Sequence, residues 1–229
     1  MQYFGGKVRI AGAIVEELQK ILRPDQTFVD LFCGSCNTVS KISAKKRIAN
    51  DIHKELIALH KAVQNEWIPP DIVSEEDYTK AKTAEDRLKA FVGFGCSFSG
   101  KWFGGYARDG SDRNYAKNAK NSLLKKHKTM QDVLFLNLSY EKVNLPNNSL
   151  VYCDIPYKNT TGYSVGSFNH DDFYAWAKEM KEKGQSIVVS EYACNVPLDW
   201  QVVFELESKK DIRNKKGIQE KTTEILMVP

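Results

Sequence analysis

A chain of 229 residues, 42% hydrophobic and 27% charged, has the length for one α/β unit carrying an elaboration and is short for two independent domains. No apolar run nears the ~20 residues of a membrane span, and the opening Met1-Gln2-Tyr3-Phe4-Gly5-Gly6-Lys7 has neither a signal core nor a transit-peptide bias, so a soluble, cytoplasmic protein without a membrane partner is expected. Five scattered cysteines argue against a disulfide framework, while the modest net charge of +4 hides a run, Lys101 to Lys128, in which eight Lys/Arg meet only Asp109 and Asp112, a composition suited to a polyanion.

In chain order, Ile10, Ile14, Leu18, Ile21 and Leu22 recur at helical spacing before Pro24, and Thr27 to Leu31 forms a β-rich run entering a glycine turn. A second helix is expected after that turn, then a strand over Lys46–Asp51 and a helix over His53–Gln64, an alternation that predicts a parallel sheet. After Pro69-Pro70 the pattern changes. Ser74 and Asp77 make a capping-box signature before helical sequence to about Phe94, and an inserted, mostly helical subdomain is expected at 66–130. Strand signals resume at Val133–Leu136, Leu150–Asp154 and Ser186–Ser190, the last after a helix of about Asp171–Lys183 closed by Gly184. His170, Asp171 and Asp172 suit a helix start better than an acid/base cluster. Gln201–Glu207 and Thr222–Val228 predict a long hairpin around the polar, basic segment Lys209–Lys221. The expected fold class is therefore α/β, with catalytic segments 1–65 and 131–229, the insertion between them and a C-terminal β-hairpin.

Two segments carry chemistry. Asp30-Leu31-Phe32-Cys33-Gly34-Ser35 lies where a strand gives way to a helix, the edge at which open α/β sheets bind nucleotide-like ligands. Asp51, about 20 residues on, ends the next strand, where a carboxylate accepts both hydroxyls of a ribose. In Val151-Tyr152-Cys153-Asp154-Ile155-Pro156-Tyr157 an apolar strand delivers a carboxylate, a proline and an aromatic ring to the same edge. An exocyclic amine conjugated to a purine is a poor nucleophile. An acceptor on Asp154 and a nearby backbone carbonyl draw its hydrogens and favour a tetrahedral nitrogen, and Tyr157 offers a ring on which a flipped base stacks.

Tyr3-Phe4-Gly5-Gly6-Lys7, Phe28 to Ser35, Asp154-Ile155-Pro156-Tyr157 and Val188-Val189-Ser190-Glu191-Tyr192 resemble, in order, motifs of the DNA adenine methylase family, in its alpha arrangement with the recognition region inserted between the cofactor and DPPY motifs. The resemblance implies a Rossmann-like S-adenosylmethionine-dependent methyltransferase sheet whose inserted subdomain recognises double-stranded DNA, and methyl transfer to N6 of a flipped-out adenine without a metal. It places Tyr3 and Lys7 near the cofactor, Asp30, Phe32, Cys33, Gly34 and Ser35 around its methionine part, Asp51 at its ribose, and Asp154, Ile155, Pro156 and Tyr157 in the catalytic pocket, Ile155 through its backbone carbonyl and Asp154 also against the cofactor. Such enzymes serve in bacteria or their viruses, with or without a restriction partner, and a monomer is expected.

Three positions depart from the family pattern. Ile155 replaces a proline, which keeps the carbonyl, loosens the loop and predicts a lower rate. Cys36 replaces a glycine and is expected to narrow the cofactor approach. Leu136-Asn137-Leu138-Ser139-Tyr140 lacks the usual acidic–aromatic pair, leaving Ser139 or Asn137 to substitute. Cys33 and Cys36 read as packed thiols rather than a redox or zinc pair. Ser190 lacks a partnered histidine for hydrolysis, so Ser190-Glu191-Tyr192 reads as a loop shaping the base pocket.

Lys101, Arg108, Arg113, Lys117, Lys120, Lys125 and Lys126, with interleaved aromatics, are the candidate phosphate contacts, and Lys209, Lys210, Arg213, Lys215 and Lys216 a second group. The alternatives are the same chemistry on cytosine N4, an RNA base or a protein glutamine, and a catalytically silent DNA-binding relative.

Overall fold

The computed structural model describes residues 1–108, 110, 113–158, 168–213 and 219–229. Its strands are β1 (Phe28–Asp30), β2 (Arg47–Asn50), β3 (Val133–Leu136), β4 (Leu150–Cys153), β5 (Ser186–Tyr192), β6 (Gln201–Arg213) and β7 (Gln219–Val228). Among the described residues six α-helices accompany them: α1 (Ala11–Ile21), α2 (Lys54–Gln64), α3 (Glu75–Lys80), α4 (Asp86–Gly95), α5 (Tyr115–His127) and α6 (His170–Glu182). The strands make one sheet in the order β3-β2-β1-β4-β5-β7-β6, parallel from β3 through β5 and antiparallel where β7 meets β5 and β6. This is a mixed α/β, Rossmann-like sheet.

Period-two alternation explains why the short central strands are apolar throughout. Phe28, Leu150, Tyr152 and Val188 enter the core under α1 with Ile14 and Leu18. Their neighbours Val29, Val151, Cys153, Ile187 and Val189 enter the opposite core with Phe173 and Ala177 of α6. A third core joins Leu56, Leu59 and Val63 of α2 to Phe91, Phe94, Ala119 and Leu123 of α4 and α5. The segment 66–130 thus covers α2, and Met1 packs among the same side chains.

The Ser74 capping box is present, its hydroxyl accepting the Asp77 amide at 3.0 Å and the Asp77 carboxylate accepting the Ser74 amide at 3.1 Å. Asn169 caps α6, accepting the amides of Asp171 and Asp172, which fits the helix-start reading of that acidic pair.

The helix expected after Gly34 does not form. Residues 34–41 make successive turns because Cys36 adopts φ +58° and the Val39 amide donates to the Asp30 carboxylate at 3.2 Å instead of to a carbonyl four residues back. A buried carboxylate competes for the donor that would have continued a helix. The hairpin strands run past their expected inner ends. Lys215 and Lys216 lie outside the described residues, as do the side chains of Lys209, Lys210 and Arg213.

Candidate active site

Strand order reverses between β1 and β4, β2 and β3 lying to one side and β5 to the other. A crevice opens at the carboxyl ends there, as in other open α/β sheets. It holds a cavity of about 310 Å³, large enough for a cofactor-sized ligand. Asp30, Asp51 and Asp154 end β1, β2 and β4 or directly follow them, and all three line it. So do Tyr3, Lys7, Phe32, Cys33, Gly34, Ser35 and Pro156. The strands bring these segments together although they lie up to 153 positions apart in sequence.

Each acidic group is held by donors on the wall. Asp51 accepts the Gly34 amide at 2.9 Å and the His53 amide at 2.9 Å, while burial raises its carboxyl above the usual range. Asp30 accepts the Val39 amide through one oxygen. Its other oxygen, and the Ser35 hydroxyl, are buried without a partner among the described residues, which is the arrangement a polar ligand completes. Asn50 closes the floor, donating to the carbonyls of Leu31 and Leu138 at 3.1 and 3.0 Å and accepting the Leu138 amide. This residue was not among the sequence candidates, although its place at the end of β2 was a signal.

Gly34 has φ +47°, and a Cβ there would come 3.0 Å from the Tyr3 ring. Gly34→Ala strains the turn by about 1–2 kcal/mol, and relief requires Gly34 to move off Asp51 or Tyr3 to move out of the wall. For S-adenosylmethionine, the cofactor that the sequence motifs lead one to expect, the result is a roughly tenfold weaker affinity by isothermal titration calorimetry, with the melting temperature lowered by about 2–8 °C. Unchanged affinity would remove Gly34 from the cofactor wall.

At the other end of the cavity, Lys7 is paired with the Asp154 carboxylate at 2.9 Å and with Glu224 of β7. The Tyr157 hydroxyl bonds to both Lys7 and Glu224. Asp154 is pushed up to about 6 by burial, opposed by Lys7 and reinforced by Glu224 and Glu191. The His170 ring nitrogen lies 2.7 Å from the Pro156 carbonyl, and Glu191, fully buried, accepts the Lys158 amide at 3.1 Å, so the loop after β4 is tied from two sides.

Several expectations are corrected. Cys36 does not narrow the cavity: its thiol turns into the core and lies 3.4 Å from His60 Nε2. Neither Ile155 nor Tyr157 lines the cavity. Ile155 is buried in the α6 core, so packing restrains the loop where the proline ring is missing, and Tyr157 is committed by its hydroxyl to Lys7 and Glu224. Ser190-Glu191-Tyr192, expected as a loop, is instead the end of β5, where Ser190 pairs with Tyr152 at 2.8 Å. Of the two substitutes for the missing acidic residue, Ser139 lines the cavity together with Glu141, to which its hydroxyl donates, whereas Asn137 donates instead to the carbonyls of Asp51 and Ile52.

Lys126 also departs from expectation. It is turned away from solvent, donating to the Ser35 carbonyl and, at 2.8 Å, to Asn37 Oδ1, and burial pushes it down to about 8. It secures the glycine turn from α5 and is not placed for a phosphate. The remaining cations of the run face outward or sit in surface pairs. Lys101 is exposed 4.9 Å above the Phe4 ring, Lys117 and Lys125 are exposed on α5, and Arg113 is exposed against the Tyr115 ring. Arg108 pairs with Glu75 and Lys120 with Asp71. Gly100, beside Lys101, accepts the Phe4 amide at 3.0 Å, which brings the insertion to the segment carrying Tyr3 and Lys7.

Residues 3–94, covering the Lys7, Asp30 and Asp51 side of this cavity, match the family model of the D12 class N6 adenine-specific DNA methyltransferases. Beyond it, the chain is 25% identical over 254 residues to the type II methyltransferase M.FokI of Planomicrobium okeanokoites, covering 93% of this chain and 38% of that protein. It is 25% identical over 206 residues to the modification methylase StsI of Streptococcus sanguinis, covering 76% and 31%. The chain therefore spans only about a third of the length of these relatives. Among solved structures, an rRNA methylase from Streptococcus thermophilus aligns with a TM-score of 0.42 at 8% identity over 95% of this chain and 96% of that one. A conserved hypothetical protein from Streptococcus pyogenes aligns at 0.41 and 12% identity over 94% of each.

Proposed function

We propose that this chain transfers a methyl group from S-adenosylmethionine to N6 of an adenine flipped out of double-stranded DNA. The observation that carries the proposal is the position of Asp154, whose carboxylate shares one cavity with Asp51, Gly34 and Ser35 at the strand-order switch. The D12-class match of residues 3–94 supports the substrate and the cofactor. The cofactor, when bound, supplies an electrophilic methyl group.

The chain's own residues do the rest. Asp51 takes the ribose hydroxyls, and the Asp30 oxygen and Ser35 hydroxyl that have no partner among the described residues take the amino-acid end. Tyr3 and Lys7 close the wall above the glycine turn. Asp154 and the Ile155 carbonyl draw the hydrogens of the target amine, which localises the nitrogen lone pair and holds it in line with the methyl carbon. Lys7 orients Asp154, and Pro156 stiffens the loop on the cavity side. Tyr157, its ring under the Lys7 ammonium, holds Lys7 and Glu224 together through its hydroxyl. Lys101, Arg113, Lys117 and Lys125 on the insertion are the phosphate contacts. Arg108 and Lys120 join them by exchanging their surface carboxylates, a cheap exchange because such pairs contribute little. The insertion, 66–130, is the proposed target-recognition subdomain, and a monomer in the cytoplasm suffices for one base at a time.

Incubation of the purified chain with tritiated S-adenosylmethionine and unmethylated bacterial DNA, followed by nucleoside analysis, is expected to place the label in N6-methyladenine. Label in cytosine, or in RNA or protein offered in parallel, would overturn the base assignment. No transfer to any polymer, with cofactor bound, would leave a silent binding protein.

A further inference from the structure

Glu224 has no part in that scheme, yet it is a carboxylate from β7, far from every sequence motif, placed against the lysine that holds Asp154. Three ionisable side chains and a phenol converge here: Asp154 after β4, Lys7 from the N-terminal segment, Glu224 and Tyr157. The Lys7 and Glu224 side chains are 8% and 7% exposed. Among the described residues, the other titratable groups facing Asp154 are Glu191 on β5, which is saturated by the amides of Lys158 and Tyr192 and by Asn195, Asp30 on β1, the neutral phenol of Tyr152 and the neutral thiol of Cys153. Glu224 is therefore the carboxylate in direct competition with Asp154 for one ammonium.

We propose that Glu224 is a positioning residue for the transfer step: by sharing Lys7, it keeps Asp154 basic enough to take the proton released by the target amine and leaves Lys7 paired once that proton has arrived. The inference rests on the methyltransferase reading and deepens it. Methylation of an exocyclic amine forms a nitrogen–carbon bond as the carbon–sulfur bond breaks, the electron pair staying on sulfur, and the nitrogen then sheds one proton. With Asp154 and Glu224 ionised and Lys7 protonated, the triad carries a net charge of −1. Proton transfer to Asp154 brings it to zero, with Lys7 and Glu224 as a neutral pair.

Without Glu224 the same transfer starts from a neutral Asp154–Lys7 pair and ends with a buried ammonium beside an uncharged acid, an uncompensated charge in a low-dielectric site. A carboxylate nearby disfavours the ionised form of its neighbour, and an ammonium not shared favours it. Loss of the Glu224 charge must therefore make Asp154 a weaker base.

The test is Glu224→Gln, which keeps the size and a hydrogen-bond acceptor for Tyr157 and removes only the charge, with Glu224→Asp as the charge-retaining control. The expected result is an acid limb of kcat/KM about one pH unit lower than in the wild type, a kcat at pH 8 about tenfold lower and unchanged S-adenosylmethionine affinity and melting temperature, with Glu224→Asp nearer the wild type. The Asp154 carboxyl is titrated in parallel by carbon-13 NMR, its resonance assigned with Asp154→Asn. An active wild type whose limb, kcat and NMR midpoint are all unmoved by Glu224→Gln overturns the role of Glu224. A midpoint that falls in a protein transferring no methyl group upholds the charge coupling and sinks the methyltransferase reading instead. A wild type without transfer and without a shifted midpoint removes both.

Discussion

Asp154→Ala is expected to lower methyl transfer by about 10²–10³-fold, the loss typical of removing one preorganised group at the reacting atom, while S-adenosylmethionine still binds within a few-fold of the wild type. The separation follows from the cavity's layout: Asp51, Gly34 and Ser35 lie on the β1–β2 side, Asp154 on the β4 side. The fold tolerates the change, because Lys7 keeps Glu224 as a partner and no buried charge is orphaned. Single-turnover rates and calorimetric cofactor affinities measured on the same preparation check it. Full activity in the variant would place the chemistry elsewhere.

The same carboxyl sets the pH dependence. Burial raises Asp154 from 3.8 to about 6, so the ionised form needed to accept the amine's hydrogens dominates only above that value, and kcat/KM is expected to fall toward acid through pH 6. Stability moves the opposite way. A carboxyl with a raised folded pKa contributes stability that is fully present below 3.8 and is lost as pH rises through 6. The form that works is the form that costs the fold, the usual sign of a group retained for chemistry.

Phe28→Ala carries the largest expected loss of stability. Phe28 is fully buried at the start of β1, between β2 and β4 in the middle of the sheet, and meets Ile14 and Leu18 of α1 in one core. Removing the ring leaves a cavity that a sheet paired on both sides cannot close, and costs about 3–5 kcal/mol. For a chain of this length that lowers the melting temperature by about 6–20 °C, as differential scanning calorimetry would read. A loss under 1 kcal/mol would mean that β1 is not the centre of the packed sheet.

The elements and the site differ in how far they were legible. Strands with period-two apolar runs and helices with a 3.6 period declare themselves locally, because each side chain's fate follows from the face it occupies. For that reason Phe28 to Asp30, Leu150 to Cys153, the capped start of α3 and the acidic first turn of α6 were readable, as were the acidic residues Asp30, Asp51 and Asp154 waiting at strand ends. The turn after Gly34 was not. A helix was expected there, but the Asp30 carboxylate took the Val39 amide, an event between a strand end and a loop that periodicity does not encode.

By itself, then, the sequence determined the α/β alternation, the glycine turn and the acidic–Pro–aromatic motif on the same sheet edge, since those depend on near neighbours and on strand parity. The tertiary structure alone decided which polar groups meet. Lys7 and Glu224 stand 217 positions apart, and only the placement of β7 against β5 puts the carboxylate on the lysine. Lys126 looked like one more surface cation of α5 until its position over Ser35 and Asn37 turned it inward. Charges carry no period and interact through space, so their partners are set by how the sheet and helices pack and not by the order in which the residues are joined.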